Sequence, residues 1–192
     1  MMQSHDRNVL VKAVETLEDT EAFDSTIAST RAAVGRVLHP GLLRDVLNGR
    51  PLGHPAHPIA ILVPTGAWIS SAVLDFVPGQ EKASRTLVGV GLLAVAPAAF
   101  AGIADWSLLS QKQQRVGIVH WAANLASVAL YTASLVQRRR GKQLSGKVLG
   151  MVGLSVVSVS GYLGGHLAYR QAANVTSGEA PAAVGGTRTS AH

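Results

Sequence analysis

Four apolar runs, separated by short polar connections, decide most of what this chain can become. They are Pro58–Val77, Thr86–Trp106, Val116–Val136 and Val148–Tyr169. Each is long enough to cross a hydrocarbon core of ~30 Å as a helix. Each is also about twice the ~9–11 residues that a barrel strand needs. The connections, 78–85, 107–115 and 137–147, are short, so consecutive helices are expected to be antiparallel neighbours. Charged residues make up 15% of the chain, against about 25% in ordinary soluble domains. The apolar mass is Ala, Val and Leu with 20 Gly, which suits close helix packing in lipid. The expected fold is all-α: an integral membrane four-helix bundle with short peripheral N-terminal helices.

Three regions follow. Residues 1–50 read as a polar, amphipathic extension. Val9, Leu10, Val14 and Leu17 suggest one weak helix; Asp24 and Ser25 are candidate caps for a second, with Ile27, Val34 and Leu38 on one face. Leu42 to Leu47 suggest a third, stopped by Asn48-Gly49 and Pro51. Residues 51–170 form the four-span domain. Residues 171–192, rich in Ala, Gly, Ser and Thr, read as a disordered tail.

The absence of cysteine excludes disulfides, iron–sulfur clusters, covalently attached haem and thiol catalysis in this chain. The net charge of +6 lies in tails and in loops between apolar runs, without the basic and aromatic interleaving of a nucleic-acid surface; no nucleic-acid partner is expected. No apolar signal region precedes residue 24. No serine stands in a nucleophile-elbow pattern and no glycine loop is built for phosphate, so no catalytic residue is assigned.

An up-down order of spans decides which residues meet. With His57 opening the first span on side one, the second returns to Asp105-Trp106 on the same side. His120 lies about 6 Å into the third at 1.5 Å per residue, and His166 stands near the end of the fourth. His54, His57, Asp105, His120 and His166 therefore converge on side one. Helical phase puts His57, Pro64, Trp68, Ser71 and Asp75 on one face, and His120, Asn124, Ser127, Tyr131 and Ser134 on another. On the fourth span it groups Ser155, Tyr162, His166 and Tyr169. Such stripes should face the bundle interior. Trp68 is expected in the core, and Trp106 and Trp121 at the interface. Asp75 reads as an interfacial ion pair or cap, and Arg138–Arg140 as a topology signal touching anionic lipid.

The residues in Leu52-Gly-His-Pro-Ala-His-Pro58, Pro64-Thr-Gly-Ala-Trp68, Gly102-Ile-Ala-Asp-Trp106, His120 with Asn124, and Gly161-Tyr-Leu-Gly-Gly-His-Leu-Ala-Tyr169 carry a resemblance. Over roughly residues 50–170 the chain resembles a bacterial family of small four-helix membrane proteins catalogued as a domain of unknown function. The resemblance implies the same four-span fold. Some relatives carry a Rieske-type iron–sulfur module, which implies redox chemistry nearby; this chain lacks the cysteines for one.

Two readings of the histidines stay open. In the first they bind a cofactor. Haem b would take two of His57, His120 and His166 as axial ligands, with Gly161, Gly164 and Gly165 making room for the macrocycle. Alternatively, a transition-metal ion would use His57, His120, His166 and Asp105. His54 and Asn124 would be supporting groups. The protein would then take part in membrane electron transfer, with a Rieske-type or other ferredoxin in trans as redox partner. In the second reading the cluster is hydrogen-bonded glue, no cofactor is held, and the chain is a non-catalytic assembly or accessory subunit. The lipid bilayer is a partner in both, and small-residue faces permit a homo-oligomer. Lys82, Arg85, Arg138, Arg139, Arg140, Lys142 and Lys147 gather on side two, which the positive-inside rule assigns to the cytoplasm. The expected location is the inner membrane, multi-pass, with the histidines and both termini outside.

Overall fold

The computed structural model describes residues 9–170, with side chains as far as Ala168. The expected tail at 171–192 lies outside the described residues. Three short helices come first: α1 (Val9–Asp19), α2 (Asp24–Val37) and α3 (Leu42–Leu47). The first span is made of α4 (Ala56–Ala60) and α5 (Leu62–Leu74), followed by α6 (Glu81–Trp106), α7 (Gln111–Arg139) and α8 (Gln143–Gly165). A π-helical turn, His166–Arg170, ends the described chain. No strand occurs among the described residues.

Among the described residues, four helices are long and apolar enough to span a membrane: Ala56–Leu74, Glu81–Trp106, Gln111–Arg139 and Gln143–Ala168. All of them begin before the apolar runs do. The runs mark the hydrocarbon zone, whereas the helices carry on through polar turns. At α7 this extension has a visible cause, a capping box in which Ser110 and Gln113 satisfy each other's backbone N–H groups. Pro97 sits inside α6 without ending it, as neighbouring helices allow in membrane bundles.

The bundle is two helical hairpins. α4 and α5 pack on α6, α7 packs on α8, and packing is closer within each hairpin than between them. The two hairpins are copies of one plan. His57, Trp68, Ser71 and Asp75 recur 63 positions later as His120, Tyr131, Ser134 and Arg138. Past the turn the offset becomes 62, so Gly79, Ser84, Gly91, Ala98 and Gly102 correspond to Gly141, Gly146, Gly153, Ser160 and Gly164. Pro78 is the extra residue. Both turns use a left-handed glycine, Gly79 and Gly141, each with φ of 77°, a conformation that costs glycine little.

Equivalent residues meet across the hairpin interface. His57 faces His120 with ring centroids 6.2 Å apart. Trp68 stacks on Tyr131 at 4.0 Å with planes 11° apart. The Arg138 guanidinium grips the Asp75 carboxylate with two N–H donations, 2.7 and 2.6 Å. Pairing of like with like defines a pseudo-two-fold axis, and because the two odd-numbered spans run in the same direction, it lies along the membrane normal.

The side-two layer corrects the expectation for Arg138. It is not a lipid-facing loop charge; its side chain is fully buried and that of Asp75 is 5% exposed. Ser84 donates to Asp75 at 2.6 Å, and Arg138 also donates to Ser84 and Ser134. Ser134 donates to the Gly146 carbonyl, and Lys147 donates to the Asp75 carbonyl, both at 2.6 Å. All four spans thus contribute to one satisfied polar knot, as lipid requires of buried charge. Asp75 is indeed an ion pair. Arg139 and Arg140 remain exposed.

The inward faces of the first and third spans follow helical phase, with Pro64, Trp68 and Ser71, then Ser127, Tyr131 and Ser134 buried; α6 buries Ala98, Ala101 and Asp105. The fourth departs from the expected phase. Its buried face is Gly146, Gly150, Gly153, Ser160 and Leu163, while Ser155 and Tyr162 are exposed. Tyr131 and Arg138 press on the glycines, which leave no space for larger residues. Ser155 and Ser158 face outward because they can donate to their own helix, at the Met151 and Leu154 carbonyls. Trp106 also departs from its expected interfacial position: it is buried, donates to the Gln114 carbonyl, and receives the Gln114 amide on its own carbonyl, both at 3.1 Å. Trp121 is half exposed, as an interfacial tryptophan should be.

The N-terminal helices dock on side one. Val14 enters a small core with Val116, Leu163 and Leu167. Arg115 grips Asp24 through two donations, 2.8 and 2.7 Å, and donates to the Glu18 carbonyl. Lys112 meets Asp19 at 2.8 Å. The Arg115 guanidinium holds the Asp24 carboxyl below the ordinary carboxylate range, and Lys112 does the same for Asp19. A carboxyl depressed in the folded state stabilises docking above its unfolded pKa of ~3.9 and loses that contribution as pH falls through the lower folded value. Cleavage of residues 9–24 by an acid-active protease should therefore rise below about pH 4. Asp24→Asn should raise cleavage of the same segment by a neutral protease at pH 7 and flatten the acid dependence.

Candidate functional site

The site forms where the two hairpins meet on side one. His57 is in the first turn of α4, entered through Pro55 in extended conformation. Its Nδ1–H donates to the Ala98 carbonyl of α6 at 2.8 Å. His120, well inside α7, repeats the arrangement, with Nδ1–H donating to the Ser160 carbonyl of α8 at 2.8 Å. A carbonyl can only accept, so both neutral rings carry the proton on Nδ1 and present an Nε2 lone pair. The ring planes are 89° apart.

Glycine makes each ring position. A Cβ on Gly102 would lie 2.8 Å from His57 Nδ1, and one on Gly164 would lie 3.1 Å from the His120 ring. Gly164 therefore seats an imidazole, where sequence reasoning expected it to open space for a macrocycle. Gly161 faces open space.

The other expected residues are distributed differently. Asn124, one turn after His120, places its amide nitrogen 3.0 Å from His120 Nε2. That lone pair accepts the Asn124 N–H. The repeat has Ile61 at the corresponding position beside His57. Asp105 is buried, and its carboxylate receives the backbone N–H of His57, which suits a negative group at a helix start. His166 is paired with Glu18, whose Oε1 lies 3.0 Å from His166 Nε2. His54 is exposed at the mouth of the first span. His57 and His120 thus come together, Asn124 and Asp105 touch that pair, and His166 and His54 do not. Among the described residues, no three His, Cys, Asp or Glu side chains are placed to share one ion.

Sequence reasoning missed Glu18, the buried role of Arg138, and the Ala98 and Ser160 carbonyls. Glu18 lies 148 residues from its partner and carries no local signal. The other three were within reach: comparing the chain with itself at an offset of 62–63 would have paired Ala98 with Ser160 and Asp75 with Arg138.

No curated protein and no solved structure matches the chain. A model of one domain family, described as a predicted membrane protein, matches residues 53–177, which take in both hairpins and the whole histidine site. The chain belongs to that family, DUF2231.

Proposed function

We propose that this chain is a membrane electron-transfer protein whose two hairpins jointly hold one redox-active metal centre between His57 and His120. The observation that carries the reading is the equivalence of the two imidazoles. Each comes from the same position of its repeat, and each is oriented by an Nδ1–H bond to a carbonyl of its own hairpin. An Nδ1–H bond of this kind fixes the tautomer of many metal-bound histidines and leaves Nε2 to ligate. The ring centroids are 6.2 Å apart, so both imidazoles are near enough for one group to be held by the two.

Ligand count favours haem b over a bare ion. With no third His, Asp or Glu placed to join the pair among the described residues, a bare ion would be short of ligands. Haem iron needs only two axial imidazoles and would supply one-electron ferric/ferrous chemistry. To accept it, Asn124 must release the His120 lone pair and the macrocycle must enter between the hairpins, where packing is looser than within them.

One observation favours the second reading, an accessory subunit with a structural polar cluster. His120 has both ring nitrogens hydrogen-bonded inside the protein, and His166 is paired with Glu18. The readings separate in a variant series on detergent-purified protein. Under the cofactor reading, His57→Ala and His120→Ala each abolish cofactor occupancy, whereas His166→Ala keeps it. Equal occupancy in all three variants removes the histidine pair from any ligand role. On the positive-inside rule, side two with its exposed Lys82, Arg139, Arg140 and Lys142 belongs in the cytoplasm, which puts the pair on the outer side.

A further inference from the structure

Residues 25–50 contain Arg31, Arg36, Arg44 and Arg50 against one acid, Asp45. Asp45 is taken by Arg50 at 2.8 Å. Between α2, α3 and the end of α6 lies a cavity of about 170 Å³ lined by Arg31, Val34, Gly35, Leu38, Arg44 and Ser107. Arg44 reaches Ser107 Oγ at 3.5 Å. Neither Arg31 nor Arg44 meets a carboxylate among the described residues. The other docking cations behave differently, since Lys112 and Arg115 both have acidic partners.

The setting tells what a pair of uncompensated guanidinium groups would take. Ser107 follows Trp106 directly, so the cavity sits at the level where the second span leaves the hydrocarbon. Val37, Leu42, Leu43 and Val46 stand exposed beside it on α2 and α3. Exposed leucines at that level belong among acyl chains, and the arginines beside them then lie among headgroups. Arginine presents paired N–H donors that match phosphate oxygens.

We propose that the Arg31–Arg44 cavity binds the phosphate of an anionic phospholipid on side one, which adds to the direct contacts that dock α2 and α3 on the bundle. The site is independent of the histidine pair and of any cofactor there.

Native mass spectrometry of the full chain in detergent, titrated with dioleoyl phosphatidylglycerol, tests this. Thermal unfolding without lipid is run alongside to show that each variant is folded. The wild type should retain one phosphatidylglycerol in preference to phosphatidylcholine. Arg31→Gln and Arg44→Gln should each weaken retention about tenfold or more, the loss of a charge-assisted hydrogen bond to phosphate. Arg36→Gln removes the same charge from α2 outside the cavity and should leave retention unchanged. Equal loss with Arg36→Gln would reduce the effect to bulk charge and overturn the site. Retention of phosphatidylcholine equal to phosphatidylglycerol would overturn the anionic preference. Displacement of the lipid by millimolar inorganic phosphate would overturn the lipid as the source of the phosphate.

Discussion

Arg138→Ala should destabilise the folded bundle by about 3–5 kcal/mol, the usual cost of leaving one member of a buried ion pair alone. The Asp75 carboxylate would keep only Ser84 as a side-chain donor while remaining buried beneath two helical hairpins. Unfolding in a mixed detergent–denaturant titration measures the loss. Replacing both charges by packed apolar residues should cost far less than either single change, because no buried charge is then stranded. A loss below about 1 kcal/mol for Arg138→Ala, the range of an exposed pair, would mean that water reaches the knot and that the side-two layer is not a core.

Gly91→Ala should be the most damaging glycine replacement in the spans. A Cβ at Gly91 would run into the Trp68 indole. That indole cannot retreat, since it lies flat on Tyr131 at 4.0 Å. Overpacking of a fixed core ring costs about 1–3 kcal/mol, and here the shift would propagate to the hairpin interface. The repeat supplies its own control. Gly153 stands in the same relation to Tyr131, but its Cβ would lie 3.0 Å from the ring, so Gly153→Ala should cost less than Gly91→Ala. Gly89, with open space around it, should tolerate alanine and gain up to about 1 kcal/mol from helix propensity. If Gly89→Ala and Gly91→Ala had equal effects, the tight Trp68 contact would be refuted.

Span number and direction were legible because lipid requires long apolar helices, and direction alone brings His57 and His120 to one end. Their placement at one end was therefore legible in the sequence, but not that these two would pair and His166 would not. Helical phase groups His166 with Ser155 and Tyr162, but the inward face of α8 is a ridge of glycines, and a helix stripped of side chains gives phase analysis little to follow. Glu18 then captures His166 from a segment that local pattern reads only as a weak amphipathic helix. Arg138 was misread because Arg138, Arg139 and Arg140 look alike in sequence. Arg138 lies one turn after Ser134 on the inward stripe of α7, where Asp75 faces it, while Arg139 and Arg140 fall off that stripe.

The internal repeat was present in the numbering throughout. Histidine, aromatic and charged residues at matched spacing in the first and third spans, and glycines at matched spacing in the second and fourth, place complementary partners on one axis. At the histidine layer the partners are identical, at the middle layer both are aromatic, and at side two they are opposite in charge. Identical residues on a two-fold axis are suited to a shared ligand, whereas opposite charges are suited to each other. This contrast makes side one the place for the proposed shared ligand and gives side two a structural role.

A shared metal centre would be seen most directly in an oxidised-minus-reduced absorbance spectrum of the detergent-purified full chain, with elemental analysis of the same sample. The expected result is a b-type α band with about one iron per chain, as for a single haem held by two imidazoles. A protein expressed with haem and iron in excess that shows neither the band nor any stoichiometric transition metal would contradict it, and would leave His57 and His120 as hydrogen-bonded members of an accessory bundle.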